Sequence, residues 1–249
     1  VTILLTNDDG IQAQGLTALF RELKKIGRVV VVAPDSQRSS VGHGITLGRP
    51  IRVKKMRTSA GIHGVGLSGT PADCVKFALT KVLKRKPTIV VSGINLGPND
   101  GCSVFYSGTV AAAREASLYG ITAIAFSLDT FVNPDYRYAA KFAAKLVADV
   151  ARTGLAAGTF LNVNIPNVPE EEICGVKFTR QSTVPFHTRF TAATKKPSAS
   201  FWLSCDMLLQ KKDLTCDTTA LASRFITITP IHNDLTDHKT LKVLRKKGL

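Results

Sequence analysis

Thr2–Gly10 reads TILLTNDDG. Ile3, Leu4 and Leu5 form an apolar run that halts at Asn7, Asp8, Asp9 and Gly10. A short apolar run bounded by turn residues suits a strand covered on both faces, as in a parallel sheet. Two adjacent carboxylates at the end of such a strand repel each other and require compensation. A hard divalent cation with oxygen ligands is the simplest candidate. The plainer reading is a solvated Asp-Asp turn that N-caps the next helix. The rest of the chain decides between them.

Outward from this stretch, residues 11–27 (IQAQGLTALFRELKKIG) place Leu16, Leu19, Phe20, Leu23 and Ile26 at helical spacing, with Gly27 as the expected stop. Residues 28–35 (RVVVVAPD) are a second apolar strand. Strand, helix and strand of these lengths make a βαβ unit with parallel strands and a right-handed crossover. A polar loop follows (SQRSSVGHG), then strand-like ITL and IRVKK, then a helix from Thr70-Pro71 through Leu83, with Thr70 as N-cap. PTIVVSGIN, ITAIAFSL and FLNVNIP are further strands. Between them fall a helix from near Thr109 to Gly120 and another from Asp135 to about Val150. Beyond Pro166 the pattern loosens, and residues 173–205 read as an antiparallel hairpin or arm. TALASRFITITPI brings a short helix and a returning strand, and a basic helix lies near 237–247.

The expected fold is therefore α/β, a three-layer Rossmann-like core with a mainly parallel sheet, a protruding hairpin arm and a C-terminal helical element. We read one domain over 1–249, divided into a core (1–166), an arm (167–210) and a returning strand with C-terminal element (211–249).

Composition narrows the functional classes. At 249 residues, 44% hydrophobic and 20% charged, the sequence suits an ordinary globular protein. No apolar run reaches the roughly 20 residues of a membrane span, and the first residues do not form a secretory signal. The five cysteines are scattered without a CxxC pair, which argues against a zinc ribbon and fits a reducing, cytoplasmic setting. Cys102 lies near the functional loops, but no histidine base adjoins it in sequence. Thirty-three basic residues against eighteen acidic ones give a net charge of +15, which favours anionic partners. The excess is dispersed in short clusters, among them Lys195-Lys196 and Lys211-Lys212, and aromatic residues make up only 7%. That pattern does not describe a nucleic-acid groove.

In doubly wound sheets, ligands bind beyond the carboxyl ends of the strands. Three such ends carry oxygen donors: Asn7, Asp8 and Asp9; then Ser36, Ser39 and Ser40; then Asn95, with Asn99 close behind. Two carboxylates with neutral oxygen donors suit Mg²⁺ or Mn²⁺, whereas zinc usually recruits His or Cys. Just downstream, Ser107-Gly108-Thr109 opens a helix, so its free N–H groups and positive dipole end offer a phosphate cradle. Taken alone, each residue is equally a turn amide, a loop hydroxyl or a simple N-cap. Their coincidence at one sheet edge points to phosphoryl chemistry. The GxxxxGK(S/T) loop and the GxSxG elbow are absent, and GLSGT and SGINLG do not match GxGxxG followed by a helix.

The segments ILLTNDDG, APDSQRSSVGHGITL, GTPADCVKFAL, VVSGINLGPN and YSGTVAAAREA, with LNVNIP and FITITPIHNDLT later, resemble the SurE family of survival-protein-E-type 5′-nucleotidases, also called acid phosphatases. The resemblance covers nearly the whole chain and is weakest at about 173–205. It implies a Rossmann-like core, with a hairpin and a swapped C-terminal element that build homodimers or homotetramers. It also implies one divalent metal ion per subunit, held by Asp8, Asp9, Ser39 and Asn95, with phosphate contacts at Ser107, Gly108 and Thr109. The implied substrates are nucleoside 5′-monophosphates, often 3′-monophosphates, and sometimes short polyphosphate.

On this reading water attacks phosphorus in line, with Asp8 orienting or deprotonating it and Asn95 helping to hold the phosphoryl group. Asn99 is a weaker substrate-binding candidate. A covalent aspartyl-phosphate is the mechanistic alternative. A catalytically reduced nucleotide- or nucleic-acid-binding protein on the same fold is the functional one. A glycosidase ranks last, since adjacent carboxylates on one turn are poorly placed to flank a scissile bond.

Overall fold

The first strand, β1 (Thr2–Thr6), is buried on both faces, as its apolar run requires. Ile3 and Leu5 face one hydrophobic core and Leu4 faces another. In this computed structural model, residues 1–193, 200–206 and 213–248 are described. The basic pairs Lys195-Lys196 and Lys211-Lys212 lie outside them, as do parts of the expected arm.

Helix α1 (Gln14–Leu23) follows β1, and β2 (Arg28–Pro34) lies parallel to β1. Gly27 is not the left-handed stop that its position suggested, because α1 already ends at Lys24. Its missing side chain serves packing instead: a Cβ there would sit 2.6 Å from the Val1 carbonyl oxygen. The loop after β2 contains no strand at ITL, and β3 (Val53–Arg57) pairs antiparallel with β4 (His63–Leu67) at the sheet edge. Helix α2 (Pro71–Phe77) begins with a capping box between Thr70 and Asp73 and continues as a wider π-helical turn over Ala78–Val82.

Strand β5 (Ile89–Leu96) pairs with β1 on the side opposite β2. This reversal of strand order is the topological switch point, where a crevice opens at the strand ends. A 3₁₀ turn (Gly101–Phe105) leads into α3 (Gly108–Leu118), followed by β6 (Ala123–Asp129), α4 (Tyr136–Thr153) and β7 (Thr159–Pro166). Helices α1 and α4 pack on one face of the sheet; α2 and α3 pack on the other. The result is the three-layer α/β arrangement that the alternating apolar pattern predicted.

The looser region resolves into two parts. Strand β8 (Val176–Phe178) belongs to the main sheet, where it runs parallel to the returning strand β11 (Ile226–His232). Strand β11 also pairs antiparallel with β7. Among the described residues, β9 (His187–Ala192) and β10 (Phe201–Asp206) form a separate antiparallel pair, exposed at every position of both strands. The sheet order is β3-β4-β2-β1-β5-β6-β7-β11-β8. A short helix α5 (Asp217–Ala222) precedes β11, and α6 (His238–Lys246) follows it without burying any residue. Among the described residues, no helix is long and apolar enough to cross a membrane.

Candidate active site

The end of β1 turns sharply at Asn7, whose Nδ2 donates to the Gly10 carbonyl at 2.9 Å. Asn7 is fully buried and shapes this turn, while Asp8 after it reaches the crevice. Asp8 is only 4% exposed. Its Oδ1 accepts a short hydrogen bond from the Thr109 hydroxyl at the start of α3. Burial raises the Asp8 carboxyl from the ordinary 3.8 to about 6; the Thr109 bond opposes that rise and the Asp9 charge adds to it. Asp9 is also raised by burial, partly offset by the Leu96 N–H that donates to its Oδ2 at 3.1 Å. Among the described residues no lysine or arginine forms an ion pair with either carboxylate.

A break in the β5–β6 register between Ser92 and Asn95 re-aims the end of β5. The Asn95 Nδ2 is committed to the Gly97 carbonyl at 2.7 Å and, more weakly, to Leu96 at 3.3 Å. Its carbonyl oxygen accepts no hydrogen bond among the described residues. From the other side comes the loop after β2, where the Arg38 N–H donates to the Asp8 carbonyl at 2.7 Å. Ser39 and Ser40 line the cleft, whereas Ser36 turns to Asp35 at 3.2 Å. The Ser39 Oγ accepts from Gln37 at 2.9 Å. Farther along, His43 meets the buried Glu115 of α3 at 2.7 Å, and Lys76 meets the same carboxylate at 2.6 Å. This ion cluster braces the Ser39 loop against the helix behind the site.

Helix α3 points its N-terminus at Asp8. The Ser107 Oγ caps the Val110 N–H at 3.1 Å, the Thr109 N–H is turned to the Asp8 carboxylate, and the Gly108 amide has no partner among the described residues. A Cβ on Gly108 would sit 2.8 Å from the Asp8 Cβ and 3.1 Å from its Oδ2. Glycine therefore lets the helix end lie directly on the carboxylate. Thr109, expected at a phosphate, is turned to Asp8 instead with both its hydroxyl and its backbone N–H.

Asp8, Ser39, Ser40, Asn95 and Ser107 line a cleft of about 960 Å³, which Asn99, Asp100, Asp129, Phe131, Phe186 and Phe190 extend. Asn99 is 7% exposed, and its Nδ2 donates to Ser127 at 2.8 Å. Its backbone is pinned by two residues of β7, the N–H to Asn164 Oδ1 at 2.7 Å and the carbonyl from Asn162 Nδ2 at 2.6 Å. Asn99 thus anchors the loop from β5 to α3 as well as bordering the cleft. Asp217 holds the next turn, accepting from the Gly101 N–H at 2.9 Å. Neither β7 asparagine was singled out in the sequence, although the N-x-N alternation inside FLNVNIP was a visible signal of buried polar work. Cys102 donates to the Val184 carbonyl at 3.2 Å and has no histidine partner among the described residues.

Asp8, Asp9, Ser39 and Asn95 thus supply two carboxylates, a hydroxyl and an amide oxygen. Among the described residues no three His, Cys, Asp or Glu side chains converge on a metal position. The donor set instead relies on neutral oxygens, which suits a hard divalent cation. A buried and a half-buried carboxylate without a cationic partner fit such an ion.

The model of the family described as survival protein SurE matches residues 3–188. This chain belongs to the SurE family. A protein called 5′-nucleotidase SurE from Chlorobaculum tepidum is 43% identical, the match covering 99% of this chain and 94% of that one. A second protein of that name, from Chlorobium chlorochromatii, is 44% identical over 98% of this chain and 90% of its own. The crystal structure of the SurE protein from Aquifex aeolicus superimposes with a TM-score of 0.87 at 38% identity, covering both chains completely. The SurE fold is thus shared from end to end, including the elements beyond the conserved-looking motifs.

Proposed function

We propose that this chain is a 5′-nucleotidase, a phosphomonoesterase that hydrolyses nucleoside 5′-monophosphates to nucleoside and phosphate. One observation carries the reading. The bare N-terminus of α3 lies directly on Asp8, at the switch point where Asp9 and Asn95 also end their strands. Such a place binds an anion and a cation side by side. The names of the relatives in Chlorobaculum and Chlorobium agree with it.

In this reading Asp8, Asp9, Ser39 and Asn95 hold one divalent cation, Mg²⁺ or Mn²⁺. When bound, it supplies Lewis acidity and lowers the pKa of water nearby. The chain does the rest. The Gly108 amide, at the N-terminus of α3, binds phosphoryl oxygen and stabilises the charge that develops on it. The Thr109 hydroxyl fixes one Asp8 oxygen, which leaves the other to orient or deprotonate the attacking water. The Leu96 N–H holds Asp9, and the loop pinned by Asn162, Asn164 and Asp217 keeps the cradle in register. Nucleoside 3′-monophosphates and short polyphosphate present the same phosphoryl group and belong to the proposed substrate range.

We place the protein in a reducing, cytoplasmic compartment, since all five cysteines are unpaired. We further propose a homodimer or homotetramer. Phe190, Phe201, Trp202 and Leu203 of the hairpin are all more than half exposed, and α6 buries nothing within its own subunit. Both surfaces call for a partner.

The test is phosphate release from 5′- and 3′-nucleoside monophosphates with Mg²⁺, with Mn²⁺ and with excess chelator. Metal-dependent release that Asp8→Asn and Asp9→Asn abolish in folded protein is the expected result. No release with either metal from a well-folded oligomer overturns the reading.

A further inference from the structure

Ser39 reaches the candidate cation site from a loop, whereas Asp8, Asp9 and Asn95 come from strand ends. That loop is tied down at two points. On one side the Arg38 N–H donates to the Asp8 carbonyl at 2.7 Å, and the Arg38 guanidinium reaches the Ser68 carbonyl at 3.0 Å. On the other, the Gly42 N–H donates to the carbonyl of Tyr106, the residue before the cap of α3, at 2.9 Å. Gly42 stands at φ +55°, and a Cβ on it would lie 3.1 Å from the Phe105 carbonyl oxygen. Glycine permits both that conformation and that approach. Between the anchors, Ser39, Ser40 and Val41 make no backbone hydrogen bond outside the loop among the described residues. Ser40 is held at φ 57°, which a residue other than glycine rarely adopts. A span in such a conformation depends on its two ends.

The second anchor continues into the helix. His43, next to Gly42, meets the Glu115 Oε2 at 2.7 Å, and Lys76 of α2 meets the Oε1 at 2.6 Å. Glu115 is only 3% exposed. Burial works against its charge, but the hydrogen bonds and charges of His43 and Lys76 outweigh it and hold its carboxyl below the ordinary value. The carboxylate therefore accepts at both oxygens, and the His43 Nε2 donates. Glu115 lies less than two turns along α3 from Thr109, whose hydroxyl bonds to Asp8. One helix thus fixes two sides of the same position. Thr109 holds Asp8, and Glu115 holds the far end of the Ser39 span.

We infer that Glu115 and His43 are a positioning pair for the cation site: by tying the Ser39 loop to the helix that holds Asp8, they keep the Ser39 hydroxyl at its ligand position. This rests on the reading of Asp8, Asp9, Ser39 and Asn95 as cation ligands and adds the residues that present Ser39. Neither member of the pair lines the cleft, so both act through Ser39. An outer partner that orients a ligand contributes to metal affinity without entering the coordination shell.

The experiment is a double-mutant cycle read as the Kd of Mn²⁺, by calorimetry on the metal-free chain without substrate. Wild type, His43→Ala, His43→Gln, Ser39→Ala and the Ser39→Ala/His43→Ala double variant are compared, with circular dichroism to show that each is folded. His43→Ala is expected to weaken Mn²⁺ binding by about tenfold. His43→Gln, whose amide still donates to Glu115, should recover most of that loss. Once Ser39→Ala is present, adding His43→Ala should change the Kd by less than about twofold, because the hydroxyl it positions is gone. A general loosening of the fold costs the same in both backgrounds. Glu115→Gln replaces a charge-assisted bond with a neutral one and runs the same cycle from the helix side. It should show a smaller loss that also requires Ser39. Wild-type affinity in His43→Ala, or an equal loss with and without Ser39, overturns the assignment. If Asp8→Asn abolishes Mn²⁺ binding while His43→Ala leaves it intact, the pair alone is refuted. A wild-type chain that binds no Mn²⁺ sinks the cation reading and the pair together.

Discussion

Two pairs of aspartates, each with one member lining the cleft (Asp8 and Asp100), are treated differently by their surroundings. Asp8 and Asp9 sit among backbone and hydroxyl donors, from Thr109 and Leu96, with a helix N-terminus against them. In the second set, Asp217 absorbs three backbone N–H groups, whereas the Asp100 Oδ1 is left without a partner. A carboxylate that must stay charged for a cation is surrounded by donors and a positive dipole end. One left short of them keeps its proton to a higher pH, about 7 against about 6. The difference teaches that burial alone does not set a carboxylate's charge; the donors around it do.

The sharpest way to break this comparison is Asp8→Asn. If the first set carries the chemistry, phosphate release falls by about a thousandfold or more, whereas Asp100→Asn leaves turnover of ribonucleotides within about tenfold. Parallel kcat measurements on both variants check it. Gly108→Ala comes next. The new methyl has no room beside Asp8, so the helix end and the carboxylate must separate, and kcat should drop by about a hundredfold. Normal turnover in this variant would mean that their close approach is incidental.

Thermal unfolding against pH separates the two sets by their protons. Asp8 is raised to about 6 and Asp100 to about 7, so the folded chain keeps protons that the unfolded chain has released. Stability in chelator is therefore full below about pH 4 and declines as the pH rises through about 6 and then about 7. The Asp8 share is on the order of 3 kcal/mol at most. Added Mg²⁺ or Mn²⁺ should remove that share, because a cation favours the charged form, and leave the Asp100 share in place. Asp100→Asn should remove only the latter. A metal-free protein whose stability rises over the same range contradicts both assignments. The smallest expected effect is at the cleft border: Phe186→Ala should raise KM by about threefold to tenfold with kcat little changed.

Much of the first set was legible in the sequence, because strand ends and glycine-bearing turns leave strong local marks. TILLTNDDG, VVSGIN and SGTVAAA each announce a strand or helix boundary, and a doubly wound sheet brings such boundaries to one edge. Asp100 and Asp217 were not legible. They lie 117 positions apart in numbering, and only the Gly101-to-Asp217 bond across the fold gives either one meaning. Gly27 was misread for a related reason: a helix stop is a local pattern, whereas the approach of Val1 is a tertiary event. ITL has strand composition but no neighbouring strand to pair with, and β-propensity alone does not supply one. Residues 176–178 read as part of the arm because a three-residue strand has too little periodicity to declare its sheet.

The chain leaves the main sheet for the exposed hairpin after Thr179 and comes back at Cys216, and these two points are clasped together. The Arg180 N–H donates to the Thr215 carbonyl at 2.9 Å and its carbonyl accepts from the Asp217 N–H at 3.0 Å, with an Arg180–Asp213 ion pair alongside. Everything between is therefore a cassette with a fixed socket. Its first residues also touch the loop behind the site, through Gln181 to the Gly101 carbonyl and Cys102 to the Val184 carbonyl. Phe186, Phe190 and Leu203 travel with the cassette and border the cleft. The catalytic frame and the border of the cleft thus come from two separate stretches of the chain.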